Sequence, residues 1–159
     1  MPQEKITFAQ FHDTVEVAHQ AYVQDLYTYL IDSGCKIAFD EKKNGYLASI
    51  KVGKPPRALA NFLFRKSELL VRIYGENIDA YTDFLQTLPA EMVESIVNSG
   101  ICGRLVNNTC SPKCTGYDFM IDGKHMQKCR YNCFEFLVTD TAKPFIRAFI
   151  EHELGQRSV

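Results

Sequence analysis

Five of the six cysteines of this chain lie between residues 102 and 133. A structural zinc site is built from four ligands, and a cysteine sulfur lies at about 2.3 Å from the ion. Two cysteines close together in a loop, one cysteine before that loop and one on a later strand can supply such a set. The spacing therefore predicts a structural zinc site whose ligands are Cys102, Cys110, Cys114 and Cys129.

Two further residues are alternatives for one of these ligands. Cys133 is a surplus thiol close to Cys129. His125 falls on the same strand face as Cys129 if strand alternation continues to residue 129. The sequence leaves both alternatives open.

A second interpretation makes one thiol reactive, as in a thiol-dependent enzyme or a redox sensor. It singles out Cys110 with Cys114. It also singles out Cys129, because the neighbouring cations Lys128 and Arg130 would lower a thiol pKa and raise the thiolate fraction. A third interpretation treats the cysteines as unconnected buried side chains, since cysteine is among the most often buried residue types.

Composition excludes several other classes of function. The net charge is -1, so overall charge predicts neither a nucleic acid nor an anionic membrane as partner. No apolar run approaches the roughly 18 residues of a membrane span, and no basic segment followed by an apolar one indicates secretion. No nucleotide-binding loop, nucleophile elbow or HExxH helix occurs. We expect a cytoplasmic protein, in which a reducing environment disfavours disulfides.

One region is strongly basic despite the balanced total. Between residues 42 and 72 the only acidic residue is Glu68, whereas the basic residues are Lys42, Lys43, Lys51, Lys54, Arg57, Arg65, Lys66 and Arg72. Several of them could converge on an anion such as a phosphate. The alternative is the solvated outer face of an antiparallel sheet.

The hydrophobic pattern predicts an α+β fold. A helix begins after Thr7, which with Gln10 forms a capping-box signature, and ends at Ser33-Gly34. Apolar alternation then predicts a four-strand antiparallel meander through residue 73, with a type I′ hairpin turn at Asn44-Gly45. The remaining predicted elements are two helices over 77–100, a cysteine loop, a smaller antiparallel hairpin sheet over 117–138 and a C-terminal helix that begins near residues 139–143. Layered packing places the helices on one face of the sheet.

The cysteine segment also resembles known sequences. The stretch from Cys110 to Tyr117, followed by Gly123 and by Lys128-Cys129-Arg130-Tyr131, is similar to a group of uncharacterised bacterial proteins of similar size. The similarity lies mostly in the second half of the chain. It implies a bacterial, cytosolic protein and nothing about a substrate.

These patterns together predict one domain over residues 1–159, with a two-part organisation (1–100 and 101–159) as an option. The function we expect is that of a non-enzymatic, zinc-containing module that binds a small molecule or a protein in the groove between helices and sheet. The alternative is a thiol-dependent enzyme or redox sensor that uses the same cysteines.

Overall fold

The computed structural model describes residues 5–106 and 116–157. Its elements are α1 (Phe8–Asp13), α2 (Val17–Asp32), β1 (Lys36–Lys42), β2 (Gly45–Val52), β3 (Arg57–Arg65), β4 (Glu68–Ile73), a 3-10 helix (Ile78–Tyr81), α3 (Thr82–Leu85), α4 (Ala90–Val97), α5 (Gly103–Val106), β5 (Tyr117–Ile121), β6 (Lys124–Lys128), β7 (Glu135–Leu137) and α6 (Lys143–Gln156). The predicted α+β fold with helices at both ends is confirmed.

The N-terminal helix begins as predicted but is divided in two. The Thr7 side chain accepts a hydrogen bond from the Gln10 backbone amide, and the Gln10 side chain accepts one from the Thr7 amide. The chain leaves helical geometry after Asp13 and resumes it at Val17. The Gln20 side chain donates to the backbone carbonyls of residues 12 and 15. These two hydrogen bonds supply partners for carbonyl groups at the break between the two helices, where helical hydrogen bonds are missing.

The predicted meander forms the main sheet, which gains a fifth strand. Strand order is β1-β2-β3-β4-β7, and every neighbouring pair is antiparallel. The sequence predicts residues 134–138 in the smaller sheet, whereas β7 pairs with β4 and leaves that sheet with only β5 and β6. In β7, Phe136 lies opposite Val71 and is buried. Pairing with β4 therefore adds the Phe136 ring to the apolar face of the main sheet, which explains the difference.

The hairpin turns differ in detail from the prediction. Lys42 pairs with Gly45, so the first turn consists of Lys43 and Asn44, one residue earlier than expected. The predicted turn at residues 122–123 is present, with φ values of 50° and 76°. Positive φ at both residues is the geometry that suits the twist of a two-residue hairpin.

The core lies on one face of the main sheet, where the helices pack. The rings of Phe11 in α1 and Phe62 in β3 are 5.8 Å apart, and those of Phe149 in α6 and Phe136 in β7 are 6.3 Å apart. The small sheet joins the same core through Phe119 of β5. Buried residues from both predicted parts of the chain therefore form one hydrophobic cluster.

Candidate functional site

Backbone hydrogen bonds hold Cys102 and Cys129 beside the end of β6. Ile101 pairs with Lys128 in an antiparallel bridge. The Cys102 amide donates to the Gln127 carbonyl at 2.9 Å, and the Cys129 amide donates to the Gly100 carbonyl at 2.8 Å. Cys102 is therefore opposite residue 127, two positions before Cys129. The backbone segments that carry these two cysteines are therefore neighbours at the end of β6.

Gly116 packs directly against the side chain of Cys102. A Cβ atom added at Gly116 would overlap the Cys102 sulfur, would lie 2.7 Å from the Cys102 Cβ and would lie 3.1 Å from the Lys128 carbonyl oxygen. The Val106 amide donates to the Cys102 carbonyl at 3.0 Å. The two residues that bracket segment 107–115 are thus both anchored at Cys102, which is buried.

Two of the four predicted zinc ligands, Cys110 and Cys114, lie outside the described residues. Within residues 5–106 and 116–157, no group of three or more His, Cys, Asp or Glu side chains is arranged to hold a metal ion. The four cysteines in these ranges form no disulfide. Of the predicted ligand set, the described residues thus include Cys102 and Cys129.

The two alternative ligands have other surroundings. Cys133 is fully buried in the hydrophobic core, and burial raises the pKa of its thiol well above the ordinary value. A thiol that is hard to ionise is a poor ligand, because zinc binds the thiolate. His125 is exposed, and its Nε2 lies 2.6 Å from Oδ1 of Asp118 across the hairpin. Hydrogen bonding to His125 lowers the Asp118 pKa.

Cys35 is buried in the core. Burial raises the pKa of its thiol to about 11. Cys35 and Cys133 therefore both remain protonated at neutral pH, which removes them as nucleophiles.

The cations that flank Cys129 have partners of their own. The Lys128 side chain is buried, and its Nζ donates to the carbonyls of Val97 and Ser99 at 2.8 and 2.9 Å. It thereby caps the C-terminal end of α4, where a cation interacts favourably with the helix dipole. Arg130 pairs with Glu76 and packs over the Tyr74 ring. Cys129 itself is half-buried.

The arginines of the basic region pair with carboxylates distant in sequence. Glu135 in β7 binds Arg65 and Arg72 on the outer face of the sheet, where Arg72 Nη2 lies 2.8 Å from Oε2. Glu76 binds Arg57 at 2.6 Å. These pairs could not be predicted from local sequence patterns, because their partners are 19 to 70 residues apart. The exposed lysines of the region, including Lys51, Lys54 and Lys66, fit the alternative of a solvated outer face.

A groove opens between α4 and this outer face. Its volume is about 520 Å³, and its walls include Arg65, Leu70, Ser95, Glu135 and Leu137. The side chains of Leu63, Leu70 and Leu137 are in register across three strands and continue this apolar surface. The groove offers apolar contact together with the Ser95 hydroxyl and one guanidinium, a combination suited to an amphipathic ligand.

Comparison of the chain with models of protein families, with curated proteins and with solved structures finds no match. Among the described residues, no helix is both long and apolar enough to cross a membrane.

Proposed function

We propose that Cys102, Cys110, Cys114 and Cys129 bind one zinc ion, and that the protein is a non-enzymatic ligand-binding or interaction module of the bacterial cytoplasm. The observation that carries this proposal is the backbone pairing that holds Cys102 next to the end of β6, where Cys129 follows, with Gly116 packed against Cys102. These two thiols, 27 positions apart in the sequence, come from separate elements, as zinc ligands do in structural sites.

Chain length supports the remaining two ligands. Cys114 precedes Gly116 by two residues, a separation that an extended chain spans in about 7 Å. Cys110 follows Val106 by four residues, and both Val106 and Gly116 lie against Cys102. Zinc bound in this way would hold a polar segment that has little apolar surface of its own to bury.

The charge near the cysteines also supports a thiolate-bound ion. Four thiolates around one zinc ion carry a net charge of -2, which needs compensation in a buried site. Lys128 is a buried cation next to Cys129, and within the described ranges it forms no ion pair with a carboxylate. Its two carbonyl partners supply only the partial negative charge of a helix end, so an anionic zinc site close to Cys129 would add to the compensation of this cation.

The test is elemental analysis of purified protein combined with thiol titration. We expect about one zinc per chain and cysteines that react with a thiol reagent only after a chelator removes the metal. Cys129→Ser should abolish stoichiometric zinc, whereas the matched control Cys35→Ala should retain it because Cys35 lies in the core. Metal-free wild-type protein with one fast-reacting thiol would favour the thiol-dependent enzyme or redox sensor. Metal-free protein with uniformly slow thiols would contradict both proposals.

We place the ligand or partner of this module in the groove between α4 and the outer sheet face. Binding can be followed by NMR with a library of small amphipathic fragments, for which we expect chemical-shift changes at Leu70, Ser95 and Leu137. Ser95→Phe should fill the groove and remove these changes. Val17→Phe, at an exposed position on α2, should leave them intact.

A further inference from the structure

The two edge strands of the main sheet, β7 and β1, differ in length and in what packs beside them. The β7 edge has three residues, and α4 lies beside it, with Ser95 Oγ donating to the Glu135 carbonyl at 2.9 Å. The β1 edge has seven residues, all paired with β2 on one side. In the part of the chain that the structure describes, no strand pairs with the other side of β1. An edge strand of this kind presents unpaired N–H and C=O groups to another chain.

The β1 edge lacks the backbone features that prevent pairing. Residues 36–42 contain no proline or glycine, and their register with β2 is continuous, without a bulge. Apolar surface also lies beside the edge. Ile37 and Phe39 are half-buried, and Phe39 approaches Phe8 of α1. A partner strand would cover part of this surface.

The sequence of β1 is complementary to itself in one register. If a two-fold axis perpendicular to the sheet relates two antiparallel copies, each side chain faces one on the same side of the sheet. With Ala38 on the axis, Lys36 faces Asp40 and Ile37 faces Phe39, and each pair occurs twice. Opposite charges and apolar pairs at directly facing positions stabilise antiparallel strands.

The registers shifted toward the C-terminal end of β1 are unfavourable. With Phe39 on the axis, Lys36 would face Lys42 and Ile37 would face Glu41. With Asp40 on the axis, two Asp40 carboxylates would face each other. Like charges at facing positions destabilise the pair. The side chains of β1 therefore favour the register centred on Ala38 over those centred on Phe39 and Asp40, and only the Ala38 register pairs Lys36 with Asp40.

We propose that two copies of this protein associate through β1, antiparallel, with Ala38 on the two-fold axis. The two main sheets then form one continuous ten-stranded sheet, with both hydrophobic cores on the same side. A contact formed by one strand pair and its flanking side chains is small, so the dimer dissociates on dilution. This association does not depend on zinc.

Sedimentation velocity from about 1 μM to about 1 mM protein tests the proposal in the range expected of a weak interface. The wild-type protein should shift from monomer to dimer. Asp40→Lys places lysines at both facing positions and should weaken the dimer about tenfold or more. Lys36→Asp combined with Asp40→Lys exchanges the two charges and should restore the dimer.

The matched control for Asp40→Lys is Glu41→Lys. It makes the same change of charge on the same strand, but in the proposed register Glu41 faces Cys35, so association should be nearly unchanged. The proposal is overturned if the wild-type protein remains monomeric at the highest concentration. It is also overturned if the double variant stays monomeric or if Glu41→Lys is as harmful as Asp40→Lys.

Cross-linking provides a second, independent measurement. Ala38→Cys places two thiols at facing positions on the axis, within the Cα separation that a disulfide can bridge. Under mild oxidation it should give a covalent dimer on a denaturing gel. Ser49→Cys, the neighbour of Ala38 on β2, should not, because β2 lies one strand away from the interface. Equal cross-linking of the two variants would contradict the proposed pairing.

Discussion

The Cα atom of Gly116 lies directly against the sulfur of Cys102, and a side chain at residue 116 would occupy the position of that sulfur. This contact joins the start of β5 to the residue that precedes α5. A single methyl group added at residue 116 would therefore disturb the packing around Cys102.

Gly116→Ala should therefore destabilise the protein. The added Cβ would overlap the Cys102 side chain and approach the Lys128 carbonyl, so we expect a loss of about 1–3 kcal/mol in the free energy of unfolding. Urea denaturation followed by circular dichroism measures it. Gly155→Ala is the control, since its Cβ meets nothing within 4 Å in α6 and should stabilise that helix slightly. Equal stability of the two variants would contradict this, because it would mean that the Cys102 side chain shifts aside without cost.

Glu153→Gln should be strongly destabilising because Glu153 is fully buried in α6. Its carboxylate accepts hydrogen bonds from the Tyr81 hydroxyl at 2.5 Å, from Asn77 and from Arg157 Nε at 2.8 Å. The amide removes the charge that pairs with the buried guanidinium, and we expect a loss of about 3 kcal/mol in the free energy of unfolding.

The control for this change is Glu151→Gln in the same helix. Glu151 is exposed and pairs with Arg147 at 2.8 Å, an interaction four residues apart on a helix surface. Its loss should cost about 0.5 kcal/mol or less. Chemical denaturation of both variants in the same buffer gives the comparison, and similar values for the two would contradict the assigned role of Glu153.

Glu135→Gln should also lower stability, by about 2 kcal/mol, because Arg65 and Arg72 would both lose their shared carboxylate. Glu68→Gln, exposed on the adjacent strand β4, is the control and should change stability little. The measurement is the denaturation midpoint in urea at low and at moderate salt. An unchanged midpoint for Glu135→Gln would show that solvent replaces the carboxylate.

The Cys35 thiol should make stability fall at alkaline pH. Burial raises its pKa from 9.0 to about 11, so the unfolded chain ionises first as pH rises. Below pH 9 both states keep the proton and the contribution is complete; it is lost as pH rises from 9 through 11. The stability gap between wild type and Cys35→Ala should shrink by about 1 kcal/mol between pH 8 and pH 10. A gap that is constant with pH would contradict this.

The features that could be predicted from the sequence are those set by residues close to one another along the chain. The Thr7 capping box, the turn at residues 122–123 and the alternation of β2, β3 and β4 all appear as predicted. The start of α6 at Lys143, with Pro144 in its first turn, is confirmed for the same reason. Each of these features depends on residues within four or five positions of one another.

Features that depend on distant residues could not be read from the sequence. The pairing of β7 with β4, the Arg65 and Arg72 pairs with Glu135, and the contact of Gly116 with Cys102 all join residues far apart in the chain. The cysteine spacing predicted a zinc site without showing which neighbours would enclose it. His125 lies on β6, which ends one residue before Cys129, and its Asp118 partner could not be predicted from the sequence.

The late position of β7 has a consequence for synthesis. Residues 70–72 of β4 are complete long before their partners 135–137 leave the ribosome. During that interval β4 is an open edge next to a largely formed meander, and an open edge is where nascent chains aggregate. We expect the delay to make yield sensitive to translation speed and to chaperones, even where the finished protein is stable.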